Sequence, residues 1–182
     1  MDSPFLQDIK KIRDRVYRHI AQGANTKEYR GDLVTVTRLL NEALATEIVC
    51  VLRYKRHYLM AKGSNSHPVA QEFLRHANEE QQHADLIAAR IRQLNGEPNF
   101  SPEGLMTRSN SETVEGDSSL EMIKEDLVAE RIAIESYTEL IRYLGDNDTM
   151  TRRLMEEILA KEEEHAEELA TLLQTLEPAQ AI

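Results

Sequence analysis

The sequence predicts an all-α chain built as an antiparallel four-helix bundle, and three observations predict it. Charged residues make up 30% of the chain and aromatics 5%, with 7 Gly, 5 Pro and no Trp, a mixture that favours long helices and leaves little material for sheet. Four stretches repeat apolar residues at alternating steps of three and four, the seam of a helix packed in a bundle. Each seam carries one carboxylate near its middle, where a core residue is expected.

The bulk properties narrow the class further. A chain of 182 residues is one domain of ordinary size, long enough to bury a core. Its formal charge of −10 disfavours nucleic acid and anionic membrane as partners and concentrates cations near the surface. The lone Cys50 excludes an intrachain disulfide framework and any Cys-based zinc or rubredoxin-type site. No apolar run approaches the ~20 residues of a membrane span. The stretch from Phe5 to Ile20 is interrupted by Asp, Lys and Arg, which a signal peptide is not. A soluble cytoplasmic protein with no membrane partner is expected.

Residues 1–31 read as an added helical arm. Ser3-Pro4 suits a helix start, and Phe5, Ile9, Ile12, Val16 and Ile20 form one apolar stripe that Gly23 and the polar run to Gly31 end. The arm is expected to pack on the domain or on a neighbouring subunit, with Lys10, Lys11, Arg13, Arg15 and Arg18 as a solvated outer face. Residues 32–178 read as the bundle.

The first long helix should start near Asp32 and stop at Gly63-Ser64-Asn65, with the seam Leu33, Thr37, Leu40, Leu44, Glu47, Val51, Tyr54, Tyr58. The second should run from His67-Pro68 to Asn95-Gly96, with the seam Ala70, Phe73, Ala77, Glu80, Ala84, Ile87, Ile91, Leu94. Residues 96–117 are rich in Pro, Gly, Ser and Asn and have no seam. They read as a long crossover: a helix of about 28 residues is roughly 42 Å long, and about 13 extended residues cover that distance. The third helix opens on a capping box, Ser118-x-x-Glu121, and its seam is Leu120, Ile123, Leu127, Glu130, Ile134, Tyr137, Ile141, Leu144, closed by Gly145. The fourth follows Asp146-Asn147-Asp148 with the seam Met155, Ile158, Glu162, His165, Leu169, Leu172, Leu176, and Pro178 stops it.

Glu47, Glu80, Glu130 and Glu162 thus fall near the middles of four helices, and two of them open a Glu-x-x-His: Glu80 with His83 and Glu162 with His165. Residues three apart on a helix can reach one point beside it. Equal depth in a bundle means one shared layer. Four buried carboxylates repel one another unless cations sit between them. Four carboxylates and two imidazoles can hold two divalent ions, one Glu-His set for each and two carboxylates bridging. Oxygen donors with one nitrogen per metal suit iron or manganese, and a Glu from each of two helices with Glu-x-x-His from the other two is the donor set of ferritin-like di-iron proteins.

The chain resembles the bacterioferritin branch of the ferritin-like superfamily. The resemblance spans about residues 33 to 176 and rests on Leu40-Asn41-x-x-Leu44-Ala45-x-Glu47 with Tyr54, on Asn78-Glu79-Glu80-x-x-His83-Ala84-Asp85, on Leu94-Asn95-Gly96-Glu97-Pro98-Asn99, on Asp126-Leu127-x-x-Glu130, and on Glu156-Glu157-Ile158-Leu159 before Glu162-Glu163-Glu164-His165. It implies a ferroxidase centre of two iron ions, with manganese as the alternative, held by Glu47, Glu80, His83, Glu130, Glu162 and His165. Tyr54 matches a tyrosine beside that centre, able to hydrogen-bond a ligand or donate an electron. The implied substrates are Fe(II) and dioxygen or hydrogen peroxide, for iron storage or detoxification; a peroxide-scavenging or substrate-oxidising di-metal enzyme of the rubrerythrin or manganese-catalase kind is the alternative. Where bacterioferritins carry a haem-binding Met the chain has Gln81, so no haem is expected. The short tail after Leu176 weighs against a 24-subunit cage and is compatible with a 12-subunit cage or a simple dimer.

The remaining candidates receive plainer readings. His76, one turn before Glu80, is placed beside the centre or in the core. His19, His57 and His67 read as surface or terminal, Cys50 as a small buried filler, and Glu163, Glu164, Glu167 and Glu168 as solvated or supporting residues.

Overall fold

The structure, a computed structural model, describes residues 9–22, 29–61, 66–111 and 116–176. The expected start at Ser3-Pro4, the stop at Gly63-Ser64-Asn65 and the stop at Pro178 lie outside the described residues. Among the described residues there are six α-helices: α1 Ile9–Tyr17, α2 Leu33–Met60, α3 Ser66–Gln93, α4 Leu105–Arg108, α5 Ser119–Leu144 and α6 Thr149–Leu176. A short 3₁₀ turn, Ile20–Gln22, follows α1.

Local chemistry sets the ends of the long helices. Asp32 caps α2, its carboxylate accepting from the Val34 N–H at 3.1 Å. Ser118 Oγ accepts from the Glu121 N–H at 3.2 Å while the Glu121 carboxylate accepts from the Asp117 N–H at 2.9 Å, a reciprocal arrangement that satisfies two donors left over at the start of α5. Asp148 does the same for α6 through the Thr151 N–H. After α3, Asn95 takes the left-handed conformation (φ 63°) and the Gly96 N–H reaches back to the Ile91 carbonyl at 2.9 Å, which is a Schellman stop. Gly96 also lets the chain pass close to α2: a Cβ there would lie 2.6 Å from Thr37 Cγ2.

The seams pack as the periodicity predicts. The most extensive helix contacts join α2 to α3 and α5 to α6. One apolar cluster combines the first half of α2 (Val36, Leu40, Leu44), the second half of α3 (Ala84, Ile87, Ile91), the second half of α5 (Tyr137, Leu140, Leu144) and the start of α6 (Met155, Ile158). A second gathers the opposite ends: Tyr54, Phe73, Ala77, Met122, Ile123 and Leu169. Hence α2 runs antiparallel to α3, and α5 to α6, while α3 and α5 point the same way. That last relation requires the connection to travel the length of the bundle. It does so along α2: Asn41 bonds the Glu97 carbonyl and the Asn99 N–H (3.2 and 2.7 Å), Thr46 Oγ accepts from the Asn110 N–H at 3.0 Å, and Arg53 meets Ser111. The crossover, read from sequence as a connection without a seam, contains the single turn α4, where the Arg108 guanidinium bonds the Ser101 and Glu103 carbonyls.

The arm differs from the bundle. No residue of α1 is buried; of its apolar stripe, Ile9, Val16 and Ile20 are exposed and Ile12 is half-buried. No helix among the described residues is long and apolar enough to cross a membrane.

Candidate metal centre

Between the two apolar clusters lies a polar layer. The helix midpoints fall beside residues 47, 80, 131 and 162, so helices of nearly equal length bring their central carboxylates to one depth. Glu47, Glu80, Glu130 and Glu162 are each 1% exposed, His83 6% and His165 0%. Their donor atoms form two groups, each with all atoms within 4.8 Å of one another: Glu47, Glu80, His83 and Glu162, and Glu80, Glu130, Glu162 and His165. Glu80 and Glu162 belong to both.

The imidazoles face inward. His83 Nδ1 lies 3.0 Å from Glu162, 3.2 Å from Glu80 and 3.5 Å from Glu47. His165 Nδ1 lies 3.4 Å from Glu80, 3.5 Å from Glu162 and 3.8 Å from Glu130. These approaches leave both Glu162 oxygens, Glu80 Oε1 and His165 Nδ1 buried without a hydrogen-bond partner. A buried unpaired carboxylate oxygen is costly. Four such atoms converging on one layer fit a pair of cations.

Comparison with known proteins agrees with this reading of the fold. A family model described as a ferritin-like domain matches residues 37–179, about four-fifths of the chain. The chain belongs to the ferritin-like family. Within this family it falls in the branch of bacterioferritins and Dps proteins. It is 34% identical over 143 residues to the nutrient stress-induced DNA-binding protein of Nostoc sp., covering 76% of this chain and 77% of that one. It is 28% identical over 143 residues to the bacterioferritin of Rhodobacter capsulatus, covering 78% and 84%. Among solved structures, the dodecameric thioferritin characterised as the bacterioferritin-related protein of Bacteroides fragilis superposes with a TM-score of 0.77 at 30% identity, over 81% of this chain and 89% of that one. Ferritin-like proteins bind iron.

In this ferritin-like chain, burial and crowding dominate the electrostatics of the layer. Burial first, then neighbouring carboxylates, push the carboxyls of Glu80 and Glu130 well above the usual carboxylate range. Burial opposes charge on both histidines, but the surrounding carboxylates outweigh it and push His83 up to about 12 and His165 to about 9. Glu162, which burial alone would raise, is held at about 2 by the two histidines.

Tyr54 donates its hydroxyl to Glu130. Two supporting contacts were not legible beforehand. Tyr137 donates its hydroxyl to Glu47; it was visible only as a seam aromatic. Glu79 accepts from His165 Nε2 at 2.8 Å, which orients the ring so that Nδ1 faces the layer, the carboxylate–imidazole arrangement common behind metal ligands. His76 is fully buried and stacks on His165 with ring centroids 4.1 Å apart. The reading of His57 as a surface residue is corrected: it is fully buried and its Nδ1 pairs with Asp126 at 2.8 Å. Position 57 lies three residues after Tyr54, on the flank of the seam that faces α5, and a seam written as one residue per turn misses flanks. Cys50 is buried, and burial with the nearby carboxylates pushes its thiol up, so it stays protonated and fills space. Glu163, Glu164 and Glu167 are exposed, whereas Glu168 is half-buried against His76.

Proposed function

We propose that the layer is a di-iron ferroxidase centre and that the chain oxidises Fe(II) with dioxygen or hydrogen peroxide, for iron storage or detoxification in the cytoplasm. The observation that carries this is the pair of four-residue donor groups sharing Glu80 and Glu162. Glu47 with His83 would hold one ion, Glu130 with His165 the other, and Glu80 and Glu162 reach both. Oxygen-rich donors with one nitrogen per ion suit iron or manganese. Bound iron supplies the electrons that reduce the oxidant.

The protein's own residues prepare the site for that chemistry. The apolar clusters above and below the layer exclude water. Glu79 fixes the His165 ring, and Tyr54 and Tyr137 hold the carboxylates of Glu130 and Glu47 through their hydroxyls. Protons held by His83 and His165 must leave as cations enter, since metal ligation requires the deprotonated forms.

The test is Fe(II) oxidation followed by ferric absorbance after anaerobic loading. Glu80→Ala should slow it at least ~10-fold, because one bridging carboxylate is lost; a wild-type rate in this variant would discard the site. Uptake of only a few irons per chain would discard storage. Sustained peroxide consumption without iron retention would instead make the chain a di-metal peroxide-scavenging enzyme. The dodecameric relative supports assembly into a closed homo-oligomer, which light scattering of the full chain reads directly: twelve copies support a cage, a monomer or dimer an enzyme.

A further inference from the structure

A third group of donors lies outside the two that make the centre. Glu72 and His76 on α3 and Glu168 on α6 place one donor atom each within 4.8 Å of one another. His76 Nε2 is 3.1 Å from Glu168 and 3.6 Å from Glu72. The two carboxylates are 26% and 33% exposed while the imidazole is 0% exposed, so the group spans the boundary between solvent and interior. His76 also belongs to a further group, with a ring nitrogen within 4.8 Å of donor atoms of Glu130 and His165. Its Nδ1 is buried with no hydrogen-bond partner among the described residues. Surface carboxylates, His76, and the Glu130–His165 half of the centre therefore form an unbroken series of donor groups along the α3–α6 seam.

The outer group already contains a cation. The Arg75 guanidinium sits 2.9 Å from His76 Nε2, bonds Glu72 at 2.6 Å and Glu79 at 2.8 Å, and meets Glu168. Of the three carboxylates facing the guanidinium, Glu79 is also bonded to His165, so Glu72 and Glu168 together carry one formal negative charge more than the guanidinium balances. A clamp between α3 and α6 would need only Glu168 and Arg75. It would not need a buried imidazole presenting a nitrogen to the same point, nor two further carboxylates.

We propose that Glu72, His76 and Glu168 form a transfer site for divalent cations in front of the centre, and that Arg75 is a tethered cation that occupies it until the incoming ion displaces it. This rests on the ferroxidase reading for its purpose, Fe(II) being the cargo, but the site itself can be tested with a redox-inert ion.

The first experiment counts Zn(II) per chain by calorimetry on the full-length protein and locates it by anomalous scattering from crystals. Arg75→Gln should bind about one more Zn(II) than wild type, because the donors lose their internal cation while keeping deprotonated ligands. The extra ion should lie between Glu72, His76 and Glu168, and Arg75→Lys should stay at the wild-type count. No added ion in Arg75→Gln, or an added ion elsewhere, overturns the proposal. The second experiment leaves Arg75 in place, so it survives any folding defect of that variant. Glu72→Gln with Glu168→Gln should slow Fe(II) oxidation about fivefold or more at low ionic strength, since cation capture at a charged entrance is steered, while the Zn(II) count at the centre is kept. An unchanged rate overturns the transfer role. If wild type oxidises no iron, the ferroxidase reading fails, and the Zn(II) count still decides the site.

Discussion

Glu79 shows how much a single side chain outside the metal layer can govern. It bonds His165, and that bond to Nε2 decides which nitrogen faces inward. Glu79→Ala is expected to weaken the ion held by Glu130 and His165 about 10- to 100-fold, the usual effect of removing a ligand's anchor, and to leave the ion at Glu47 and His83 little changed; Co(II) titration read by ligand-field absorbance resolves the two. Protonation is a second residue-scale matter. His83 and His165 are raised to about 12 and about 9, and Glu80 and Glu130 lie well above the carboxylate range. The two histidines hold protons at neutral pH that metal must expel. Metal affinity should therefore fall as pH falls, and Zn(II) addition to metal-free protein in weak buffer should release protons, measured with an indicator dye. For protein prepared without metal, groups with raised folded values stabilise most below their unfolded values and lose that contribution as pH rises. The melting temperature should decline from about pH 6.5 through about 9 as His165 loses its proton, whereas Glu162, lowered from 4.5 to about 2, loses its contribution as pH falls from 4.5 through about 2. A melting temperature that climbs over the neutral-to-alkaline range would contradict this.

At the scale of elements, the crossover and the caps carry the testable content. Asn41 holds the crossover by two bonds, to the Glu97 carbonyl and from the Asn99 N–H. In Asn41→Ala the Asn99 amide should exchange about fivefold faster, the effect of losing a bond worth about 1 kcal/mol, with amides of the α2–α3 seam unchanged. Ser118→Ala removes the α5 cap, which costs about 1 kcal/mol and should lower the melting temperature by about 2–4 °C in a domain of this size. The four seams, the capping box at Ser118 and the stop at Asn95-Gly96 were legible because periodicity and capping are local properties of the chain. The turn α4 was not, because its four residues make about one turn of 3.6 residues, too short for a repeat to show, and the Arg108 bonds that close it are particular to that loop.

For the molecule as a whole, the polar layer divides the core into two apolar clusters, and the fold accepts four buried carboxylates in between. Without cations each such charge carries a desolvation penalty of several kcal/mol. Ligation should therefore stabilise the whole chain: at 100-fold excess over the dissociation constant the gain is about 2.7 kcal/mol per site, read as a higher melting temperature with Zn(II) that chelation reverses. No stabilisation by any divalent metal would argue that the layer is kept together by protons alone.

Spacing along the chain was enough to specify four amphipathic helices, their order, the need for a long crossover, and the depth of Glu47, Glu80, His83, Glu130, Glu162 and His165. Each of these follows from a repeat of 3.6 residues and from helix length, quantities a sequence contains explicitly. Packing alone decided which neighbours those residues meet. Tyr137 reaches Glu47, Glu79 reaches His165 and Arg75 reaches Glu168 across 90, 86 and 93 positions of sequence, and His57 turns inward to Asp126 across 69. Such pairings depend on the rotation of one helix against another and on side-chain direction, and neither is written in the periodicity of a single helix.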